Sequence, residues 1–251
     1  ISTLLINGAP NANFSCTDVG ANNVTLTVID INTNISTCSA VVTVLDTTAP
    51  AMVCQNLTVQ LDPAGNFTIT PADVDGGSTD NCAIATLTIN GQASITYTCA
   101  EIGVNNVTLV ATDVNGNVDS CLATVTVFDT VAPVAICQNI NLYLDAAGNG
   151  SIVPADVDGG SSDNCAIVTY TINSAATINY GCADVGANNV TLEVTDGSGN
   201  VSSCVAVVTV LDTVRPAVVC FNITRNLDAT GIVGIPPVAV DGGSSDACGI
   251  L

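Results

Sequence analysis

Cysteine recurs in this chain at one fixed period, and that period limits the folds open to it. Cys16, Cys99 and Cys182 lie 83 residues apart, as do Cys38, Cys121 and Cys204, then Cys54, Cys137 and Cys220, then Cys82, Cys165 and Cys248. The text between them repeats too: Asp46-Thr-Thr-Ala-Pro50 returns as Asp129-Thr-Val-Ala-Pro133 and Asp212-Thr-Val-Arg-Pro216. A period of this kind marks a tandem array, in which each unit is one small fold and the function belongs to the array.

An even number of cysteines, with no Cys-x-x-Cys and no histidine to complete a zinc site, favours disulfides. Disulfides persist in oxidising compartments, so the expected location is extracellular or cell-surface. No start methionine or signal peptide is visible, and the chain is expected to be a mature or excised piece. Charge narrows the partners. The chain carries 22 acidic residues, two arginines (Arg215 and Arg225) and no lysine, for a net charge of −20. Binding to phosphates depends on Lys and Arg displacing counterions, so nucleic acid is excluded as a partner and divalent cations are favoured. The apolar runs are far shorter than the roughly 18 residues that cross a bilayer, and no membrane insertion is expected in this segment.

Thr, Val, Ile and Asn alternate with period two wherever the text is not turn-like, as in Asn106-Val-Thr-Leu-Val-Ala-Thr and Cys121-Leu-Ala-Thr-Val-Thr-Val. Between such runs stand turn words with Asp at the head and Gly near the end: Asp62-Pro-Ala-Gly-Asn66, Asp113-Val-Asn-Gly-Asn117, Asp145-Ala-Ala-Gly-Asn149 and Asp196-Gly-Ser-Gly-Asn200. The pattern predicts strands near 52–61, 66–70, 83–89, 94–99, 105–112 and 118–128, and no amphipathic helix. That is an all-β, disulfide-stapled, Ig-like sandwich repeated in tandem, with a closed barrel as the structural alternative. The Asp-Thr-x-x-Pro words set the boundaries, since proline cannot donate to a sheet ladder. Complete repeats are expected at 47–129 and 130–212. Residues 1–46 are the back part of a repeat and 213–251 the front part of another, together about one period. The expectation is a window on a longer repetitive polymer, in which residue 251 continues into a segment equivalent to residue 1 or 2.

Turn geometry suggests the pairing of cysteines. A two-residue type I′ hairpin at Asn90-Gly91 pairs residues equidistant from it, which matches Cys82 with Cys99, and the next copy at Asn173-Ser174 matches Cys165 with Cys182. Cys54 is then left for Cys121 and Cys137 for Cys204. This suits an Ig-like fold whose first and last strands are parallel neighbours, with a bulge or kink near Gln55-Asn56 to correct the phase of Cys54. Cys16, Cys38, Cys220 and Cys248 lack such partners within the chain. In a polymer, Cys248 would pair with Cys16 and Cys220 with Cys38 of the adjoining segment.

The order of an Asp-x-x-x-Pro word, a cysteine before the first strand, Thr-Asp-x-x-Gly-Asn before the last and a cysteine opening that last strand resembles the hyalin-repeat (HYR) module. The text with Asp80-Asn-Cys, Thr98-Cys-Ala-Glu, Ala135-Ile-Cys-Gln-Asn-Ile and Asp75-Gly-Gly-Ser is similar to repeats of giant surface adhesins of Bacteroidota, including gliding-motility adhesins. The resemblance covers the whole chain. It implies Ig-like modules in long secreted filaments or stalks, with no catalytic motif.

Three constellations are candidates for chemistry. The acidic word Pro71-Ala-Asp-Val-Asp-Gly-Gly-Ser-Thr-Asp80 recurs as Pro154 to Asp163 and, altered, as Pro237 to Asp246. Calcium takes six to eight oxygens, and Asp73, Asp75 and Asp80, with Asp156, Asp158 and Asp163, and Asp241 and Asp246, could supply several. The competing account is a long loop whose Asp75 and Asp80 cap turns. Asp-Thr-apolar words at Thr47, Thr130 and Thr213 are similar to the O-glycosylation acceptor of Bacteroidota, against the alternative of a simple Asp-Thr turn. Tyr97, Tyr143, Tyr170 and Tyr180 share no single repeat phase, so strand packing accounts for them better than a sugar-binding platform. With no His or Lys and the cysteines allocated to bridges, no catalytic residue is expected and the chain is not read as an enzyme. The expected function is the structural shaft of a secreted or surface filament or adhesin, built on adjoining identical repeats; the alternative is an adhesive module for glycan or protein.

Overall fold

The computed structural model describes residues 1–250, and the continuation expected at residue 251 lies outside them. The chain divides into two units, one of residues 1–62 and 66–128, the other of 63–65 and everything from Asp129. The first contains β1 (Thr3–Ile6), β2 (Gly20–Ile29), β3 (Ile35–Val44), β4 (Leu57–Gln60), β5 (Asn66–Ile69), the single-turn α1 (Pro71–Val74), β6 (Ile84–Ile89), β7 (Ile95–Thr98), β8 (Gly103–Asp113) and β9 (Val118–Phe128). The second contains β10 (Ile140–Tyr143), β11 (Gly150–Ile152), α2 (Pro154–Val157), β12 (Ile167–Ile172), β13 (Ile178–Tyr180), β14 (Gly186–Asp196) and β15 (Val201–Leu211).

Alternation decides which residues go inside. β8 buries Val107, Leu109 and Ala111, and β9 buries Ala123, Val125 and Val127, while the Thr and Asn between them face outward. Each fully buried Val or Leu among them contributes roughly 1.5–3 kcal/mol, and Val59, Leu61, Ile69, Val74, Ile89 and Tyr97 complete the core of the repeat. In the first unit the sheet order is β4-β9-β8-β6, and β5-β7 forms a separate two-stranded sheet. The same orders, β10-β15-β14-β12 and β11-β13, recur in the second. There Ile152 and Tyr180 of the small sheet join Val190, Leu192, Val208 and Val210 of the large one in a single core, which makes each repeat a β-sandwich. As expected, the first and last strands run parallel: Leu57 is opposite Val125 and Gln60 opposite Phe128.

Three details differ from the sequence pattern. The strand expected at 52–61 is confined to Leu57–Gln60, and Cys54 instead forms an isolated bridge to Asp75. The break between them holds Asn56, whose Oδ1 accepts the Thr124 N–H at 2.9 Å and fixes where β4 joins β9. A helical turn stands where none was expected, begun by Pro71 and placing Val74 wholly in the core. The Asn90-Gly91 turn forms, with positive φ at both residues, but only Ile89 and Gln92 pair across it. β6 then pairs with β8, and β7 crosses to pair with β5. Crossing lets Ile89 and Tyr97 enter the core from opposite sheets.

The partial repeats are less enclosed. β1, β2 and β3 form one sheet, equivalent to β6, β8 and β9, but only Val24 is buried among their residues and Val41 is 62% exposed. In 213–250 the bridges Ala217 to Ser245 and Cys220 to Asp241 reproduce those at Ala51 and Cys54 without any ladder among the described residues.

Candidate functional site

The features that recur at the head of each repeat are a disulfide and a group of carboxylates. Cys54 is bonded to Cys121 and Cys137 to Cys204, each closing one repeat as expected, over a separation of 67 residues. The cross-hairpin pairs are not formed. Cys82 is bonded to Cys16 rather than Cys99, and Cys182 to Cys248 rather than Cys165, each over 66 residues. The sheet crossing after Gln92 is the reason: Cys82 and Cys99 flank strands of different sheets, so no ladder brings them together. The expected bridge from Cys248 to Cys16 of an adjoining segment is corrected by the same two bonds. Cys99 and Cys165 are each disulfide-bonded. Among the described residues Cys38 and Cys220 are free and exposed.

Cys16 precedes the Asp46-Thr-Thr-Ala-Pro50 word and Cys82 follows it, so their bond, inside the first unit, spans the repeat boundary expected from the sequence. Cys182 and Cys248 straddle the Asp212 boundary in the same way. Each of these bonds begins at a short 3-10 turn, Cys16–Asp18 or Cys182–Asp184. Their other ends lie in loops where Asp80 Oδ1 accepts the Cys82 and Ala83 N–H groups at 2.8 and 2.9 Å, and Asp246 Oδ1 accepts that of Cys248 at 2.8 Å. Ala83 has φ +122° and Ala166 φ +85°, a left-handed conformation that alanine adopts only under constraint.

The acidic words are divided between two tasks. Asp73 Oδ2 accepts the Thr70 N–H at 2.7 Å and its hydroxyl at 2.8 Å, a capping arrangement for α1, and Asp156 accepts the Val153 N–H at 2.7 Å. The Thr70 backbone and hydroxyl donors hold the Asp73 carboxyl below its ordinary range. Asp75 Oδ1 takes the Ser78 hydroxyl at 2.7 Å and N–H at 2.9 Å; Asp158 does the same with Ser161, and Asp241 takes the Ser244 N–H at 2.8 Å. Burial pushes the Asp75 carboxyl up, and the Ser78 and Gly77 donors outweigh it, leaving it lowered. These residues shape the loop. Asp80, Asp163 and Asp246 are gathered elsewhere.

Asp80 meets Asp46 and Asp113, and Asp163 meets Asp129 and Asp196, with one oxygen of each carboxylate within 4.8 Å of the others. The third group, Asp212 with Asp246, is completed only by the Cys248 sulfur, which is already bonded to Cys182. Three separate loops build each triad. Asp46 and Asp129 come from the boundary words, Asp80 and Asp163 from the acidic words, and Asp113 and Asp196 from the turns that open the last strand. In those turns Asp113 Oδ1 accepts the Asn115 and Asn117 N–H groups, both at 2.8 Å, and Asp196 Oδ1 those of Ser198 and Asn200. The Thr48 N–H and the Asn115 amide lower the Asp46 carboxyl, against burial and the charge of Asp113. Asp46, Asp113, Asp129 and Asp196 were legible only as turn residues. Their recurrence at the 83-residue period was the one signal that they act together.

Thr47, Thr130 and Thr213 are exposed, each following an Asp whose Oδ1 accepts the N–H two residues on. Tyr97 and Tyr180 are core residues. Tyr143 and Tyr170 are exposed but lie on β10 and β12, the two opposite edges of one sheet, so no joint aromatic surface forms. Among the described residues no helix is long and apolar enough to cross a membrane.

No family model matches the chain, and no curated protein matches it. Among solved structures, similarity is found to protocadherin gamma B7 extracellular cadherin domains 1–4 (13% identity, 84% of this chain, 63% of that one, TM-score 0.34). It is also found to a protocadherin gammaB7 EC3–6 cis-dimer (18%, 94% and 70%, TM-score 0.35) and to titin domains I67–I69 (12%, 76% and 75%, TM-score 0.38).

Proposed function

We propose that this chain is part of the structural, non-catalytic shaft of an extracellular or cell-surface filament or adhesin of the HYR-like, gliding-adhesin type. The observation that carries the reading is the pair of disulfides, Cys16 to Cys82 and Cys182 to Cys248, that cross repeat boundaries. A bond within a repeat stabilises only that repeat. A bond across a boundary limits how far neighbours can part, which serves an element that must transmit tension. Net charge of −20 adds self-repulsion, effective within a Debye length of roughly 8–10 Å, that discourages folding back.

The open faces fit the same function. The exposed side of β3 and the apolar concavity around Val218, Val219, Pro237 and Val238 correspond to the two halves of a complete repeat. The partner that suits each is the missing half of the same repeat text in an adjoining identical segment, with Cys220 bonding Cys38. Calcium held by the carboxylate groups and O-glycans on Thr47, Thr130 and Thr213 belong to this reading. An intact mass equal to the bare polypeptide, in material from the native host, would remove the glycans.

The decisive experiment is electron microscopy of the native assembly, with force spectroscopy on the 251-residue chain. A thin fibre with a regular axial repeat, and unfolding lengths that increase when reductant is added, are expected. Compact particles, or force traces indifferent to reductant, would refute a shaft. The competing function, a module that binds glycan or protein, is opposed by the separation of Tyr143 from Tyr170. Reproducible capture of one glycan class on an array would reinstate it.

A further inference from the structure

We propose that the triads Asp46–Asp80–Asp113 and Asp129–Asp163–Asp196 are each a binding site for one divalent cation of the calcium class. As a statement about the shaft, a cation that stiffens the head of a repeat, this rests on the function proposed above; the binding chemistry does not.

Charge gives the first reason. Three carboxylates converge within 4.8 Å in each group, and the first unit contains no Lys, Arg or His side chain at all. The only basic residues of the chain are Arg215 and Arg225, outside both triads and both complete repeats. A bound cation relieves the repulsion between like charges this close.

Burial with missing partners gives the second, independent reason. Asp129 is 5% exposed and its Oδ2 has no hydrogen-bond partner among the described residues. In the same group Asp163 Oδ1 also lacks one, and Asp196 is 2% exposed. The remaining oxygens are well satisfied: Asp163 Oδ2 accepts the Cys165 N–H at 2.8 Å and Asp196 Oδ2 the Asn200 amide at 2.7 Å. Leaving a buried carboxylate oxygen without a partner is costly, and the two orphans belong to one cluster. In the first unit Asp80 Oδ2 is the equivalent orphan. There the Asn115 amide donates to Asp46 Oδ2 at 2.9 Å, whereas the second unit has Ser198 at that place and Asp129 Oδ2 is left bare. The second site should therefore bind the ion more tightly.

The donors identify the ion. Carboxylate oxygens with no imidazole and no thiolate suit a hard cation and not zinc or copper. Calcium, tolerant of irregular geometry and high coordination number, fits loops from three places better than magnesium, which demands a near-ideal octahedron. The Asp212 and Asp246 pair, with only two carboxylates, is not included.

The test uses the whole 251-residue chain after treatment with chelator. Calorimetric titration with CaCl2 should show binding, and at about ten times the dissociation constant the melting temperature of a repeat should rise by roughly 6–11 °C. MgCl2 should give a smaller shift. Asp80→Asn with Asp163→Asn keeps an oxygen for the Cys82 and Cys165 N–H groups while removing one charge from each triad. This double variant should lose the calcium response and, without calcium, melt no lower than the parent. Asp46→Asn with Asp129→Asn is the second variant, should the first not fold. Absence of heat and of any shift at about 10 mM CaCl2, well above the range for extracellular modules, would overturn the proposal. So would a calcium shift that survives in either variant. Neither result depends on whether the native assembly is a fibre.

Discussion

Replacing Cys54 and Cys121 together by alanine probes how much of a repeat's stability comes from its internal bridge. The bond closes a segment with a sequence separation of 67 residues. Loop-closure entropy for a crosslink of this span gives about 4.4 kcal/mol at 25 °C. Packing changes little beside that, because both cysteines are only half-buried. A stability change of that size approaches the whole net stability of a small domain, and for a repeat of this length it lowers the melting point by on the order of 20 °C. Differential scanning calorimetry on the full chain would read it as one early transition, while the unit beginning at Asp129 keeps its own. Removing Cys16 and Cys82 instead opens a span of 66 residues that crosses the boundary. Hydrogen exchange should then show loss of protection in β1, β2 and β3, with β8 and β9 still protected. A fall of less than about 1 kcal/mol for the first variant, or identical exchange patterns for the two, would refute the division between closing and linking bridges.

Close packing and acid give two further predictions. A Cβ on Gly76 would meet Val53 Cγ1 at 2.8 Å and Val53 O at 3.2 Å, so Gly76→Ala should cost about 1–3 kcal/mol in denaturant titration; Gly197→Ala, whose nearest neighbour is Val168 at 3.8 Å, should cost little. The carboxyls of Asp73, Asp75 and Asp158 are lowered in the folded chain by the donors they accept, so their contribution is present above the unfolded value of about 4 and lost as pH falls through the folded one. Circular dichroism melts should be level from neutral pH to about pH 5 and fall below pH 4; a maximum in stability near pH 3 would contradict this.

Most of the sandwich was legible because its two long strands alternate without interruption. Leu109 and Val125 announce the core, and the parallel contact between β4 and β9 follows from pairing Cys54 with Cys121. Turn chemistry was legible as well: Asp113 and Asn117 close their loop as the Asp-x-x-Gly-Asn word suggests. What the sequence did not disclose was the partner of Cys82. The Asn90-Gly91 signal is correct locally, yet the core claims Ile89 from one sheet and Tyr97 from the other, and this tertiary demand ends the hairpin after one pair. The carboxylate triads were hidden for a related reason. Asp73 and Asp75 stand close in sequence but are taken up by Thr70 and Ser78, whereas Asp46, Asp80 and Asp113 come together only once three loops are folded.

The proposed shaft depends on covalent bonds that run from one repeat into the next. Proteolysis of the native, unreduced chain with free thiols blocked, followed by mass spectrometry of linked peptides, tests it most directly. Peptides joining Cys16 to Cys82 and Cys182 to Cys248 are predicted, beside those joining Cys54 to Cys121 and Cys137 to Cys204. Recovery of Cys82 linked to Cys99, or of Cys16 and Cys82 as blocked thiols, would contradict it.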